Sequence, residues 1–113
     1  MVKPLPRKWL IHSIEYYPLL GKDEDYDYPI YGDLVLIERV RVDIDESVLI
    51  DGNGHSKADS GIVFIDYKNS KPIPTFEEDS KIVFKGKEYR LRKIVECYQV
   101  EKDEIHHYEL EVV

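Results

Sequence analysis

The sequence has little of the chemistry on which small enzymes and metal proteins usually depend. Its single cysteine, Cys97, cannot form an internal disulfide and is one thiol short of a paired-cysteine zinc motif. We expect Cys97 to be a small apolar strand residue. Apolar runs are short, and charged side chains interrupt residues 1–20, where a signal peptide would need an apolar core. These absences predict a protein that enters no membrane and stays in the cytoplasm where it is made.

Helical periodicity and excess positive charge are missing as well. No run of about ten residues repeats its apolar side chains at spacings of three and four, so we expect no helix beyond a single turn. Acidic residues outnumber basic ones by 23 to 16, which gives a net charge of -7. Because an acidic surface repels phosphate, we expect neither a basic grip on DNA nor sequence-specific nucleic-acid binding.

Short β-strand signals separated by turns fill most of the sequence. The predicted strands cover residues 8–17, 34–44, 48–50, 61–67, 82–84, 88–92 and 106–112. Residues 1–7 are expected to form an extended N-terminal arm, because Pro4 and Pro6 cannot take part in a strand ladder. The sequence therefore predicts one all-β domain over residues 1–113, an antiparallel barrel or sandwich of six to seven strands with long loops.

Several local features of these strands can also be predicted. Alternation places Leu34, Leu36, Val40, Val42 and Ile44 on one face, with a bulge or strand end near Glu38 and Arg39. Turns are expected at residues 43–46 and 51–54, and Gly86 is expected to adopt a positive φ in the turn after residue 84. The segment 61–67 is apolar on both faces, which predicts a central strand.

No constellation in the sequence matches a catalytic, cofactor or metal site. His106 and His107 are adjacent, and adjacent strand residues point to opposite faces, so we predict that they do not hold one metal ion together. The acidic run at residues 23–27 lacks the glycine and glutamate that an EF-hand needs at its sixth and twelfth positions. We expect no enzymatic activity, no cofactor and no bound metal.

Tyrosine is the residue type that the chain has in abundance. It contains nine tyrosines, five of which precede the longest predicted strand. Tyrosine is amphipathic, rigid and enriched in protein contact surfaces. Those in residues 21–32 show no strand periodicity, so Tyr26, Tyr28, Ile30 and Tyr31 are our candidates for a protein contact. The polar segment 51–61 is a second loop expected on the surface.

Several segments of the chain, taken in order, resemble those of a known protein family. The opening KPLPRKWLIH, the central RVRV, the later VFIDY and the C-terminal IVFKGKEYRL and HHYELEVV are similar to small minor capsid proteins. That family comes from tailed bacteriophages and prophages of Gram-positive bacteria. The resemblance covers most of the chain and includes no catalytic signature. It implies a structural virion protein, a head-tail connector subunit for head closure that assembles as a ring below the portal.

The resemblance also implies partners. They are the portal or adaptor, tail subunits and further copies of the chain in a homo-oligomeric ring. A monomeric state of the isolated chain is compatible with this expectation. The acidic charge suits a channel wall along which DNA must slide. Two alternatives stay open, a tail-completion subunit and a monomeric β-barrel module that binds protein. In each phage role the protein would end in the virion after synthesis in the host cytoplasm.

Overall fold

Eight antiparallel strands account for the regular secondary structure that the computed structural model describes, in residues 3–51 and 54–113, with side chains described in residues 3–45 and 60–113. They are β1 (His12–Tyr17), β2 (Leu19–Lys22), β3 (Pro29–Tyr31), β4 (Val35–Asp51), β5 (Gly54–Asp66), β6 (Lys81–Phe84), β7 (Lys87–Tyr98) and β8 (Ile105–Val112). The described residues contain no α-helix, which confirms the all-β prediction. Accordingly, no helix there is long and apolar enough to span a membrane.

Six of the strands close into a barrel in the order β1-β4-β5-β8-β7-β6. Closure occurs at β1, where Tyr16 lies opposite Val35 of β4 on one side and opposite Ile82 of β6 on the other. A closed sheet has no edge strand, so its backbone donors and acceptors are paired around the ring. The remaining strands, β2 and β3, form a separate two-stranded sheet.

The barrel interior is filled by alternating apolar side chains from every barrel strand. β5 pairs with β4 and β8, as every strand of the closed barrel pairs with two neighbours, and it contributes Val63 and Ile65. Burying such a side chain is worth about 1.5–3 kcal/mol. The full buried cluster is Ile14, Tyr16, Ile37, Val40, Val42, Val63, Ile65, Ile82, Tyr89, Leu91, Leu110 and Val112.

A bulge in β4 decides which of its residues face the core. Arg39 has a φ of 62°, and the pairing with β1 skips it. The predicted bulge near Glu38 and Arg39 is therefore present, but its effect on the faces was not anticipated. The extra residue reverses the alternation, so Ile37 is buried while Leu34 and Leu36 are about half exposed. The prediction that Leu34 and Leu36 share a face with Val40 is wrong.

Four predicted segments also differ from the structure. Residues 7–9 form a turn, in which the Trp9 amide bonds to the Pro6 carbonyl at 3.0 Å, and the first strand begins only at His12. The turn predicted at residues 43–46 does not exist, because β4 runs straight through to Asp51. Residues 21–22 end β2 and residues 29–31 form β3, so only residues 23–28 and 32 of the first expected loop lie outside the strands. Residues 54–61 of the second expected loop belong to β5.

Other local predictions are confirmed. The turn between β6 and β7 consists of Lys85 and Gly86, with φ values of 50° and 77°. Two positive φ values in a two-residue turn match the twist of a hairpin, and glycine adopts one of them without steric cost. Residues 52–53, within the turn predicted at 51–54, lie outside the described residues. The pairing of Asp51 with Gly54 brackets them.

A buried carboxylate at the end of β5 fixes the N-terminal arm to the barrel. Asp66 is fully buried, and one oxygen accepts a hydrogen bond from the Leu5 amide at 2.9 Å. Its second oxygen accepts from the amides of Lys68 and Asn69 at 3.2 and 2.8 Å. The Asn69 side chain in turn donates to the Leu5 carbonyl at 3.1 Å. The described residues 3–6 of this arm belong to no helix or strand.

We predict that Asp66→Ala destabilises the protein by about 2–4 kcal/mol, because three backbone donors lose a charged acceptor. The free energy of unfolding is measured by urea denaturation. Lys68→Ala is the control, since Lys68 contributes its backbone amide to the cluster, and it should change stability by no more than about 0.5 kcal/mol. Equal effects of the two substitutions would contradict this role for Asp66.

Candidate functional site

The predicted contact residues lie on the β2–β3 hairpin, outside the barrel. Tyr26, Tyr28 and Ile30 are exposed at 75%, 67% and 46%. Leu20, at 69% exposed, is on the same hairpin and was missed, because a single leucine beside a glycine gives no periodic signal. The structure thus brings three of the four candidates to the surface together with one further apolar side chain. We call Leu20, Tyr26, Tyr28 and Ile30 the hairpin patch.

Tyr31, the fourth candidate, has a different environment. The ammonium of Lys81, on β6, lies 4.4 Å from the ring centre of Tyr17 and 5.0 Å from that of Tyr31. A cation between two aromatic faces is attracted to both. The Gly32 amide also donates to the Pro18 carbonyl at 2.7 Å, at the base of the hairpin. Tyr31 therefore attaches the hairpin to the barrel instead of extending the exposed patch.

The acidic tip of the hairpin is organised by its own backbone. A carboxylate oxygen of Asp23 accepts hydrogen bonds from the amides of Asp25 and Tyr26 at 2.9 and 3.0 Å. This is the local turn that aspartate favours, and it gives the alternating acids a conformational role. The turn holds Tyr26 and Tyr28 with their ring centres 6.1 Å apart.

A second projection is formed by the far ends of β4 and β5. From the pair Asp45–Ser60 to the pair Asp51–Gly54, the two strands pair with each other, and no other strand of the described residues pairs with them there. These seven cross-strand pairs, six steps apart from first to last, extend about 20 Å at the usual rise per residue. We call this segment the β4–β5 arm. At its base, a side chain at Gly61 would collide with the Asp43 carbonyl, so glycine is required at this junction.

An open groove of about 1140 Å³ lies between the loop after β5 and strands β7 and β8. Its walls include Tyr67, Pro72, Phe76, Tyr98 and Tyr108. Tyr67 and Tyr98 are exposed at 59% and 52%. Neither was predicted as a contact residue, because each stands at a strand end, where alternation no longer tells which face a side chain occupies. The groove is a second exposed aromatic surface.

His106 and His107 are much closer than the sequence predicts. Between the pairs Cys97–His107 and Tyr98–Ile105, β8 advances two residues while β7 advances one, so His106 is the extra residue of a bulge. The Nδ1 atoms of the two histidines are 2.8 Å apart. The expectation that the two side chains point to opposite faces is wrong, because a bulge interrupts the alternation of a regular strand.

Beside these histidines, Cys97, His107 and Glu109 form a half-buried cluster. The Cys97 thiol donates to a Glu109 carboxylate oxygen at 3.1 Å. Burial and this carboxylate raise the pKa of the Cys97 thiol to about 11. Burial, followed by the neighbouring His106, lowers the pKa of His107. Cys97 is thus a protonated, hydrogen-bonded strand residue, more polar in its contacts than the small apolar residue expected.

The structure defines a small β-barrel protein with exposed aromatic side chains on the β2–β3 hairpin and along an open groove. Residues 6–112 match a family model described as "Minor capsid protein". Because the match spans almost the whole chain, the chain belongs to this minor capsid protein family of phages. It is therefore a structural protein of the phage virion, where it contacts other structural proteins. A sequence comparison with curated proteins finds no match.

We predict different effects for the tyrosines of the hairpin. Tyr31→Ser removes one face of the Lys81 contact and should lower the free energy of unfolding by about 0.5–1 kcal/mol. It should also speed hydrogen exchange of the Gly32 amide at the hairpin base. The double variant Tyr26→Ser, Tyr28→Ser is the control and should stay within about 0.5 kcal/mol of the parent. If the double variant is the less stable protein, the exposed rings contribute to the fold rather than to a contact surface.

Proposed function

We propose that this minor capsid protein is a head-tail connector subunit for head closure, assembling as a ring below the portal. Portal or adaptor subunits would contact one side of the ring and tail subunits the other. The observation that carries the proposal is the β4–β5 arm, which leaves the barrel without a neighbouring strand among the described residues.

The physical argument starts from the stability of such an arm. An isolated two-stranded hairpin is at best marginally stable in water, and both of its outer edges present unpaired backbone donors and acceptors. Another protein chain can satisfy these groups by adding a strand. Since the barrel itself is closed, the arm offers the long backbone edges for assembly. An arm of about 20 Å would offer these edges to an adjacent subunit of the ring.

The hairpin patch and the charge agree with this role. Leu20, Tyr26, Tyr28 and Ile30 expose apolar surface on a hairpin that the Lys81 contact holds in place. Exposed aromatic side chains near a charged rim are typical of protein contact surfaces. The net charge of -7 suits a ring through which DNA must slide without adhering.

The alternatives are a tail-completion subunit of the same particle and a monomeric β-barrel module that binds protein. Both could use the hairpin patch. A connector remains attached to DNA-filled heads that have no tails, whereas a tail-completion subunit is found with free tails. Mass spectrometry of purified tailless heads and free tails, from phages blocked in tail or head assembly, separates these roles. Recovery of the chain on heads supports the connector, and recovery on free tails alone contradicts it.

We predict that removal of the β4–β5 arm abolishes assembly but preserves the barrel. Residues 46–59 are replaced by Asn-Gly, so that the paired residues Asp45 and Ser60 flank a two-residue turn. Hydrogen-bonded and non-hydrogen-bonded pairs alternate along an antiparallel ladder. Because Asp45 and Asp51 are an even number of positions apart, the pair Asp45–Ser60 is of the same type as the pair Asp51–Gly54 that flanks the natural turn. The variant should keep a sheet-type circular dichroism spectrum and a cooperative urea transition. In the encoding phage, electron microscopy should show heads without tails.

A companion variant keeps the arm and removes two of the four side chains of the hairpin patch, with Tyr26→Ser and Tyr28→Ser in one chain. Its infectious titre should also fall, and electron microscopy of its particles shows whether the two surfaces act at the same step. Infectious tailed particles made with the shortened arm would overturn the role assigned to the arm. An unfolded shortened chain would show that the arm is required for folding.

A further inference from the structure

We propose that Cys97, His107 and Glu109 form a binding site for a divalent zinc ion on the outside of the barrel. The sequence predicted no bound metal, on the ground that His106 and His107 point to opposite faces. The bulge at His106 removes that ground and places His107 in a different setting. The proposal is independent of the function proposed above.

The geometry of the three side chains is close to what zinc requires. The candidate ligand atoms of Cys97, His107 and Glu109 all lie within 4.8 Å of one another. The Sγ–Oε2 distance is 3.1 Å and the Nε2–Oε2 distance is 3.8 Å. In a tetrahedral zinc site, the usual bond lengths place such ligand atoms about 3.4–3.6 Å apart. Side-chain movements of a few tenths of an ångström would bring these two distances to those values.

The strand pairing is what brings the ligands together. Cys97 on β7 lies directly opposite His107 on β8, and Glu109 is two positions further along β8, on the same face as His107. Directly opposed residues in an antiparallel pair have Cβ atoms about 4.5–5.5 Å apart. Two of the ligands therefore come from adjacent strands and the third from the next position on the same face, a rigid scaffold for a metal site.

The hydrogen bonds around His107 leave a lone pair directed at this cluster. Nε2 of His106 lies 2.6 Å from the Lys3 carbonyl, which only accepts, so this nitrogen carries a proton. With both rings neutral, Nδ1 of His106 accepts from Nδ1 of His107 at 2.8 Å. Nε2 of His107 then has no proton and faces a carboxylate oxygen of Glu109 at 3.8 Å. Two acceptors that face each other are stabilised by a cation between them.

A zinc ion can bind thiolate, imidazole and carboxylate together, and the two negative ligands neutralise its charge. Calcium and magnesium prefer sites made of oxygen atoms alone, so sulfur and nitrogen donors favour zinc. The fourth zinc position would be filled by water, since three side chains supply three bonds.

The surrounding contacts resemble the outer layer of known zinc sites. A zinc-binding histidine usually directs its second ring nitrogen at a hydrogen-bonding partner, which fixes the ring orientation. His107 has this arrangement through His106, which in turn contacts the carbonyl of Lys3 in the N-terminal arm. Zinc binding would therefore connect β7, β8 and the arm at one point.

Zinc binding at this site would release a proton from Cys97. The thiol of Cys97 loses its hydrogen as the sulfur binds zinc, so one proton is released for each ion bound. Apart from Glu109, which is itself a proposed ligand, the titratable groups that interact with Cys97 and His107 are His106 on β8 and Asp66 on β5. Calorimetric titration in two buffers with different ionisation enthalpies counts the released protons.

The test uses the full-length protein without an affinity tag, freed of metal and titrated with zinc in competition with a chromogenic chelator. We expect one equivalent to bind with a Kd in the micromolar range or below. Cobalt, used as a spectroscopic substitute, should give a thiolate-to-metal charge-transfer band and the intense visible bands of tetrahedral coordination. Cys97→Ser and His107→Gln should each weaken zinc binding about ten-fold or more.

Matched acidic variants complete the experiment. Glu109→Gln should weaken binding, while Glu111→Gln, two positions along the same strand, should leave it unchanged. Circular dichroism shows whether each variant is folded, and the cobalt spectrum of the parent protein tests the thiolate ligand without any substitution. Absence of stoichiometric binding by the parent, absence of the charge-transfer band, or equal affinity in Cys97→Ser would each overturn the proposal.

Discussion

The buried carboxylate of Asp66 is the interaction on which much of the structure around the barrel depends. A fully buried charge is unfavourable unless hydrogen bonds replace its water, and here the amides of Leu5, Lys68 and Asn69 do so. The Asp66 amide bonds to the hydroxyl of Ser70, and that hydroxyl donates to the carbonyl of Arg39. One residue thereby fixes the N-terminal arm, the turn after β5 and the bulge of β4.

Bulges then determine which surfaces the barrel presents. At Arg39, the extra residue reverses the faces of β4 and leaves Leu36 half exposed outside the barrel. At His106, an extra residue brings two adjacent histidines into contact on β8. Both irregular positions lie near the Asp66 cluster, because Ser70 bonds to Arg39 and the Tyr67 amide bonds to the His106 carbonyl. The irregular positions of neighbouring strands are therefore tied together at one end of the barrel.

The sequence reveals local chemistry well and long-range pairing poorly. The turn at Gly86 and the bulge near Arg39 could be predicted, because each depends on residues within a few positions. The exposure of Tyr26 and Tyr28 followed from their lack of periodicity. The continuation of β4 through residues 43–46 depends on its pairing with β5, which lies further along the chain. The acidic residues of this segment are typical of turns, and the turn predicted from them is absent. The histidine contact depends on how β7 and β8 pair, which neither strand specifies alone.

Barrel closure explains why assembly of this protein by strand addition must use its projections. Strand addition requires an unpaired edge, and the ring of six strands has none because β1 pairs with both β4 and β6. The edges that remain belong to the β2–β3 hairpin and the β4–β5 arm. The first is attached through the Lys81 contact and exposes aromatic rings, while the second exposes long backbone edges. The closed barrel thus protects the isolated chain from uncontrolled strand pairing and leaves strand addition to two separate elements.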